Sequence, residues 1–174
     1  MEYFTGDFDT DCMILYQYID ELPLFPTNNR KKYNNDIKPI SNVYGTTQFE
    51  NNNGLKRPKD EGGGYKTKLK EYYPEYQKIF EEFMDEYTNF SFNQVVINKN
   101  FKILPHKDAK NVGQSYIIGL GDYKGGELVI DYETYQETKN INHQFYTFDG
   151  SKYKHWVKDF KGDRITLVFY NINY

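Results

Sequence analysis

Two imidazoles and a carboxylate stand where they could share one metal ion. His106 and Asp108 are two residues apart, and His155 lies farther along a chain that contains only three histidines. If the segment around His106 is a strand, residues i and i+2 point the same way, so the two side chains converge. Two histidines and one carboxylate can occupy one face of an octahedral Fe(II) and leave the opposite positions open. Arg164 follows His155 by nine residues, and Thr166 shares its phase on a strand. A guanidinium grips a carboxylate through two hydrogen bonds, and a nearby hydroxyl can add a third. That is the recognition a dicarboxylate co-substrate such as 2-oxoglutarate requires. Each residue alone has an ordinary alternative, a surface His–Asp pair or a solvated strand end. Their order and spacing together favour the metal site. His143 lacks such a context and reads as a loop or surface histidine.

These residues need elements to hold them. A period-two pattern begins near Phe90, with strands expected at 93–98, 102–106, 115–121, 127–132, 144–148, 154–157 and 164–172. Turn residues separate them, among them Lys124-Gly125-Gly126, Asp149-Gly150 and Lys161-Gly162-Asp163. Upstream, apolar residues at helical spacing from Asp9 to Leu22 indicate a helix capped by Asp9 or Thr10. A second helix starts after Pro74 and buries Ile79, Phe80, Phe83, Met84 and Tyr87. Residues 27–64 are polar and mostly loop, with short strands near 42–49 and a glycine tip at Gly62-Gly63-Gly64. The fold class expected is α+β, mainly β: a sandwich or barrel buttressed by N-terminal helices.

The 174 residues suit one domain, with 1–90 as a helical and loop-rich support and substrate region and 91–174 as the barrel. Aromatics make up 18%, enough apolar area to fold. The net charge of -3 argues against a strongly basic nucleic-acid coat protein. The single Cys12 allows no intramolecular disulfide, which fits a reducing compartment. The acidic start has no signal-peptide pattern and no apolar run spans a membrane, so an intracellular monomer without a membrane partner is expected.

Several motifs carry a resemblance. The segment from Phe92 to Asn100, then Pro105-His106-Lys107-Asp108, and then Asp149 to Tyr170 resemble the core of the 2-oxoglutarate/Fe(II)-dependent dioxygenases. The run Gly119-Leu120-Gly121-Asp122-Tyr123-Lys124-Gly125-Gly126-Glu127-Leu128 resembles the TET/JBP-like branch, and the Phe92-Asn93 to Asn98 strand resembles AlkB-like proteins. The resemblance covers residues 90–174 well and the first half loosely. It implies a double-stranded β-helix, a jelly-roll or cupin-like barrel, with Fe(II) on His106, Asp108 and His155. It also implies 2-oxoglutarate on Arg164 and Thr166 with Asn98 or Tyr116, O2 as second co-substrate, and ascorbate as assay reductant. The implied reaction is C–H hydroxylation, on a methylated nucleobase of DNA or RNA. A protein or prolyl hydroxylase, a small-molecule hydroxylase and a non-catalytic metal-binding barrel are the alternatives. The interval from His155 to Arg164 is nearer that of prolyl hydroxylases, and Tyr170 stands where AlkB-like proteins carry a second arginine. Lys31, Lys32, Arg57 and Tyr44, among interleaved cations and aromatics, are the candidate substrate contacts.

Overall fold

The computed structural model describes residues 1–27, 39–52 and 54–174. In chain order its elements are α1 (Phe8–Glu21), β1 (Ile40–Thr47), β2 (Asn51–Asn52), β3 (Leu55–Lys56), β4 (Tyr65–Lys66), α2 (Lys68–Tyr72) and α3 (Tyr76–Tyr87). There follow β5 (Gln94–Lys99), β6 (Ser115–Leu120), β7 (Tyr123–Gly125), β8 (Leu128–Asp131) and β9 (Gln136–Lys139). The last are β10 (Tyr146–Phe148), β11 (Lys154–Val157), β12 (Phe160–Gly162) and β13 (Ile165–Tyr170).

The larger sheet is antiparallel in the order β10-β6-β13-β5-β1-β4, and a smaller one runs β11-β8-β9. Alternation along the central strands divides their side chains. Val95, Ile97, Ile118, Leu120, Ile165, Leu167 and Phe169 pack with Leu15, Ile19, Phe80 and Phe83 of the helices. Ile117 and Val168 point the other way and meet Leu128, Ile130 and Phe148. The molecule is therefore a jelly-roll-like barrel of two facing sheets, with helices on the outer face of the larger one, as expected.

The helices form where their apolar spacing and caps allow. Cys12, Leu15 and Ile19 bury one stripe of α1. Its cap is Asp7 rather than Asp9 or Thr10: the Asp7 carboxylate accepts from the Thr10 backbone N–H at 3.0 Å. Asp9 falls instead in the first turn, where its charge suits the helix N-terminus. In α3 the buried residues include Ile79, Phe80, Phe83 and Met84, and Tyr87 packs against the same core.

Two loop readings change. No strand spans 102–106, because Pro105 has no N–H to give a ladder. That segment is tied to β11 by single contacts, Val157 N–H to Ile103 O at 3.1 Å and a bridge between His106 and His155. The glycine tip is a defined turn, with the Asp60 N–H bonded to Gly64 O at 2.9 Å. A Cβ on Gly64 would stand 2.7 Å from Thr46 Cγ2 at a φ of +69°, so only glycine fits. The strands missed in the sequence are polar or very short. In β9 (Gln-Glu-Thr-Lys), three of the four side chains are exposed on a sheet edge, so no apolar alternation marks it.

Candidate metal centre and the cavity around it

His155 lies on β11, paired opposite Ile130 of β8. His106 reaches it from the neighbouring loop through two backbone hydrogen bonds, His106 N–H to His155 O at 3.1 Å and His155 N–H to His106 O at 3.0 Å. Asp108 is fixed by its own N–H on Gly150 O at 2.8 Å. The convergence of His106 and Asp108 comes from this loop anchoring, not from strand phase. Gly150 leaves the room: a Cβ there would stand 3.2 Å from both Asp108 Oδ2 and His155 Cε1.

The His106 Nε2 is 3.3 Å from Asp108 Oδ1, the His155 Nε2 is 3.1 Å from Asp108 Oδ2, and the three ligand atoms all lie within 4.8 Å of one another. Donors sharing one octahedral face at bonds of roughly 2.1 Å stand about 3 Å apart. Proton placement supports the same fit. The His106 Nδ1 is 2.7 Å from Leu104 O and the His155 Nδ1 is 3.0 Å from Tyr153 O. A carbonyl only accepts, so each Nδ1 carries the proton and each Nε2 of a neutral ring presents a lone pair. Two lone pairs facing a carboxylate call for a cation between them. Without a metal, protons on the imidazoles take that cation's place: burial raises the pKa of the Asp108 carboxyl, but the hydrogen bonds and charge of His106 and His155, once protonated, outweigh it and hold the group well below the usual range. Asp108 is thus ionised wherever the protein is folded near neutrality. The donor set fits Fe(II).

These residues line a cavity of about 450 Å³ between the sheets. Asn98, Thr166, Val168 and Tyr170 come from the larger sheet, and Leu128 and Val157 from the strands opposite. Thr166 pairs with Asn98 on one side and with Gly119 on the other, so the two expected co-substrate residues are neighbours. Arg164 continues the row of Thr166 but lies beyond the cavity wall, 1% exposed. Its Nη2 donates to Gly126 O at 2.8 Å, and its guanidinium carbon is 5.4 Å from the Tyr123 ring centre and 5.3 Å from that of Phe160. Burial lowers its pKa. Among the described residues it has no carboxylate within 4.0 Å, and its Nε has no hydrogen-bond partner.

Tyr116 is a correction. Alternation on β6 turns it to the helix side, where it stacks on Phe90 at 4.3 Å between ring centres, away from the cavity. Tyr44 is another: it is fully buried on that same side, with its hydroxyl on Tyr73 O and Pro74 O, and cannot touch a substrate. Lys31 and Lys32 lie outside the described residues. Arg57 lines a second groove with Lys68, Phe25 and Phe49, and this groove shares Ser41 and Val43 with the metal cavity. His143 sits apart from the centre, its Nδ1 3.3 Å from Asp9 Oδ1.

No protein-family model matches the sequence, and no curated protein matches it. Solved structures match it in three dimensions. NgTET1 in complex with 5mC DNA aligns at a TM-score of 0.57 and 15% identity, over 93% of this chain and 67% of that one. An oxidoreductase of the 2OG-Fe(II) oxygenase family from Burkholderia pseudomallei aligns at 0.53 and 16% identity, over 88% and 75%. A Pseudomonas putida prolyl-4-hydroxylase aligns at 0.51 and 10% identity, over 99% and 90%. The chain has the fold of the 2OG-Fe(II) oxygenases. Identities this low carry the fold and leave the chemistry to the residues themselves.

Within that oxygenase fold, two residues of interest escaped the sequence reading. The buried Tyr123 hydroxyl and the Arg164 Nε make no hydrogen bond of good geometry among the described residues, yet the phenol interacts with the guanidinium and offsets part of the cost of burying it. The hydroxyl stands above Gly119, where a Cβ would come within 2.3 Å of it. Gly119 within the strand was the only trace of it in the sequence, since glycine there marks a close approach. The second is Gln94, which bonds the hydroxyl of Tyr170 in the cavity wall. Among the described residues no helix is long and apolar enough to cross a membrane.

Proposed function

We propose that this chain is an Fe(II)- and 2-oxoglutarate-dependent dioxygenase that hydroxylates a C–H bond on a methylated nucleobase. The observation that carries the reading is Arg164. A buried guanidinium without a carboxylate partner, in phase with Thr166 behind a cavity that holds two histidines and an aspartate, is what a bound dicarboxylate would complete. His106 and His155 hold the metal through Nε2, and Asp108 through its carboxylate. Arg164, Thr166 and Asn98 bind the far carboxylate of 2-oxoglutarate, and the hydroxyl of Tyr123 adds a donor. Bound Fe(II), with 2-oxoglutarate and O2, supplies the oxidising power for an unactivated C–H bond. The apolar walls from Val96, Leu128, Val157 and Val168 keep water from the reacting atoms. No side chain needs to act as a general base. The unit is the whole chain, with residues 1–90 contributing the helices, strands β1 and β4 of the larger sheet and most of the second groove, and 91–174 the remaining strands of the barrel.

The nucleobase assignment is supported by that groove. Among the described residues its lining holds two cations, Arg57 and Lys68, two aromatics, Phe25 and Phe49, and no carboxylate. Cations for phosphates beside rings for bases are the elements of single-strand binding. Lys68 stands 4.1 Å over the Phe25 ring and Lys110 4.9 Å over Phe49, which keeps both kinds of group together. NgTET1, bound to 5mC DNA, is built on the same fold. A protein side-chain hydroxylase is the second reading, favoured by the nine-residue interval from His155 to Arg164. The test is succinate release from 2-oxoglutarate with Fe(II) and ascorbate, stimulated by single strands carrying methylated bases or by proline-rich peptides. Stimulation by the nucleic acid with a product 16 mass units heavier is expected. Absence of both iron binding and 2-oxoglutarate binding would sink the enzyme assignment.

A further inference from the structure

Tyr170 lines the cavity, and the polarity of its hydroxyl is set from behind by Gln94. Gln94 and Tyr170 are each 7% exposed. The Gln94 Nε2 donates to Thr46 O at 2.8 Å, and the Gln94 Oε1 accepts from the Tyr170 hydroxyl. A backbone carbonyl only accepts, so the amide nitrogen must face Thr46 and the amide oxygen must face Tyr170. That oxygen has no proton to give, and the tyrosine proton is committed to it. What the Tyr170 oxygen offers the cavity is lone pairs. Among the described residues, no donor is directed at it.

Its place on the strand says which molecule would meet it. Arg164, Thr166, Val168 and Tyr170 form one row of alternate residues. At a rise of roughly 3.3 Å per residue, Tyr170 stands about 20 Å along β13 from Arg164. The co-substrate is assigned to the Arg164 end, so the Tyr170 end belongs to the substrate. Burial, and then the charge of Asp108, raise the pKa of the phenol, so it keeps its proton.

We infer that Tyr170, oriented by Gln94, determines base specificity by selecting a base with an exocyclic amine over one with a carbonyl at the same edge. The inference rests on the nucleobase reading above. An amine completes the hydrogen bond, whereas a carbonyl turns a second set of lone pairs on the first and leaves both acceptors unsatisfied.

5-Methylcytosine and thymine test this difference: both carry the 5-methyl group, ring position 4 changes from amine to carbonyl, and the neighbouring N3 changes from acceptor to N–H donor, so a phenol that met N3 instead would favour thymine. Short single strands, each with one such base, are compared by fluorescence anisotropy and by mass of the oxidised product. The wild type should favour the amine base by about tenfold or more. Tyr170→Phe, which keeps the ring, should bring the ratio close to one. Gln94→Leu frees the phenol proton to turn into the cavity and should move the preference toward thymine. An equal or thymine-favouring ratio in the wild type overturns the inference, and so does a preference that survives in Tyr170→Phe. Binding of both strands without preference overturns this inference alone. Binding of neither overturns it together with the nucleobase reading.

Discussion

Adjacent residues of β13 live in opposite surroundings. Ile165, Leu167 and Phe169 face the helices and are packed on every side by Leu15, Ile19, Phe80 and Phe83. Arg164, one residue before the strand, and Thr166 and Tyr170 within it face the other way, where each polar group has few partners and two of them border the cavity. The backbone is common to both rows, and the period of two decides which side chain goes where. One row gains its free energy from apolar area and close packing. The other leaves hydrogen-bonding capacity open for a ligand. Stability and chemistry should then separate at residues only one position apart.

The largest effect belongs to His155→Ala. It removes the donor 3.1 Å from Asp108 and leaves the backbone bridge to His106 in place. Metal affinity should fall by more than about 100-fold, since even the groups behind the ligands are worth 10- to 100-fold. Succinate release should drop to background, while urea unfolding of the metal-free protein shifts by about 1 kcal/mol. Near-normal turnover in this variant would refute the ligand assignment.

Phe80→Ala should do the reverse. Phe80 is fully buried, with ring centres 5.3 Å from Tyr44, 6.2 Å from Tyr76 and 6.0 Å from Phe169. Truncation leaves a cavity among rings that cannot collapse together, at a cost of about 3–5 kcal/mol. Iron affinity of the fraction still folded should be unchanged. A matching loss of iron affinity would show that the two rows are mechanically coupled through β13.

Much of this division was legible in the sequence, because it depends on local phase and scarce residue types. Three histidines, one with an aspartate two residues on, left few ways to build a metal site. Arg164 and Thr166 could be placed on one side from their spacing alone. The failures occurred where a neighbour in space, not in sequence, decides. Tyr116 is one residue out of phase with the cavity row, and Tyr44 fills a hollow that exists only once α3 packs on β1. The strand expected at 102–106 is a loop held by β11, so His106 and Asp108 meet for a reason the alternation did not contain. Tyr123 meets Arg164 only because β7 pairs with β12 just before β13 begins.

Arg164 tests the comparison from the inside, because it is as buried as any core residue yet belongs to the polar row. Gly126 approaches it so closely that a Cβ would stand 2.6 Å from Nε, so the pocket is shaped around the guanidinium. If the residue serves structure, removing it should cost as much as Phe80→Ala. If it waits for a carboxylate, the free protein carries a buried charge whose desolvation is only partly offset by the two rings and one carbonyl. Arg164→Met keeps most of the volume, removes that charge, and leaves only the Gly126 carbonyl short of a partner. The two terms nearly cancel, and stability without co-substrate should change by no more than about 1 kcal/mol. The KM for 2-oxoglutarate should rise about 10- to 100-fold, since Met offers no fork for the far carboxylate. Ligand linkage separates the cases in one experiment. With metal present, 2-oxoglutarate at 100 times its Kd should stabilise the wild type by about 2.7 kcal/mol. Arg164→Met should keep only about 0.4–1.4 kcal/mol of that gain at the same concentration, and an equal gain in both proteins would place the co-substrate carboxylate elsewhere.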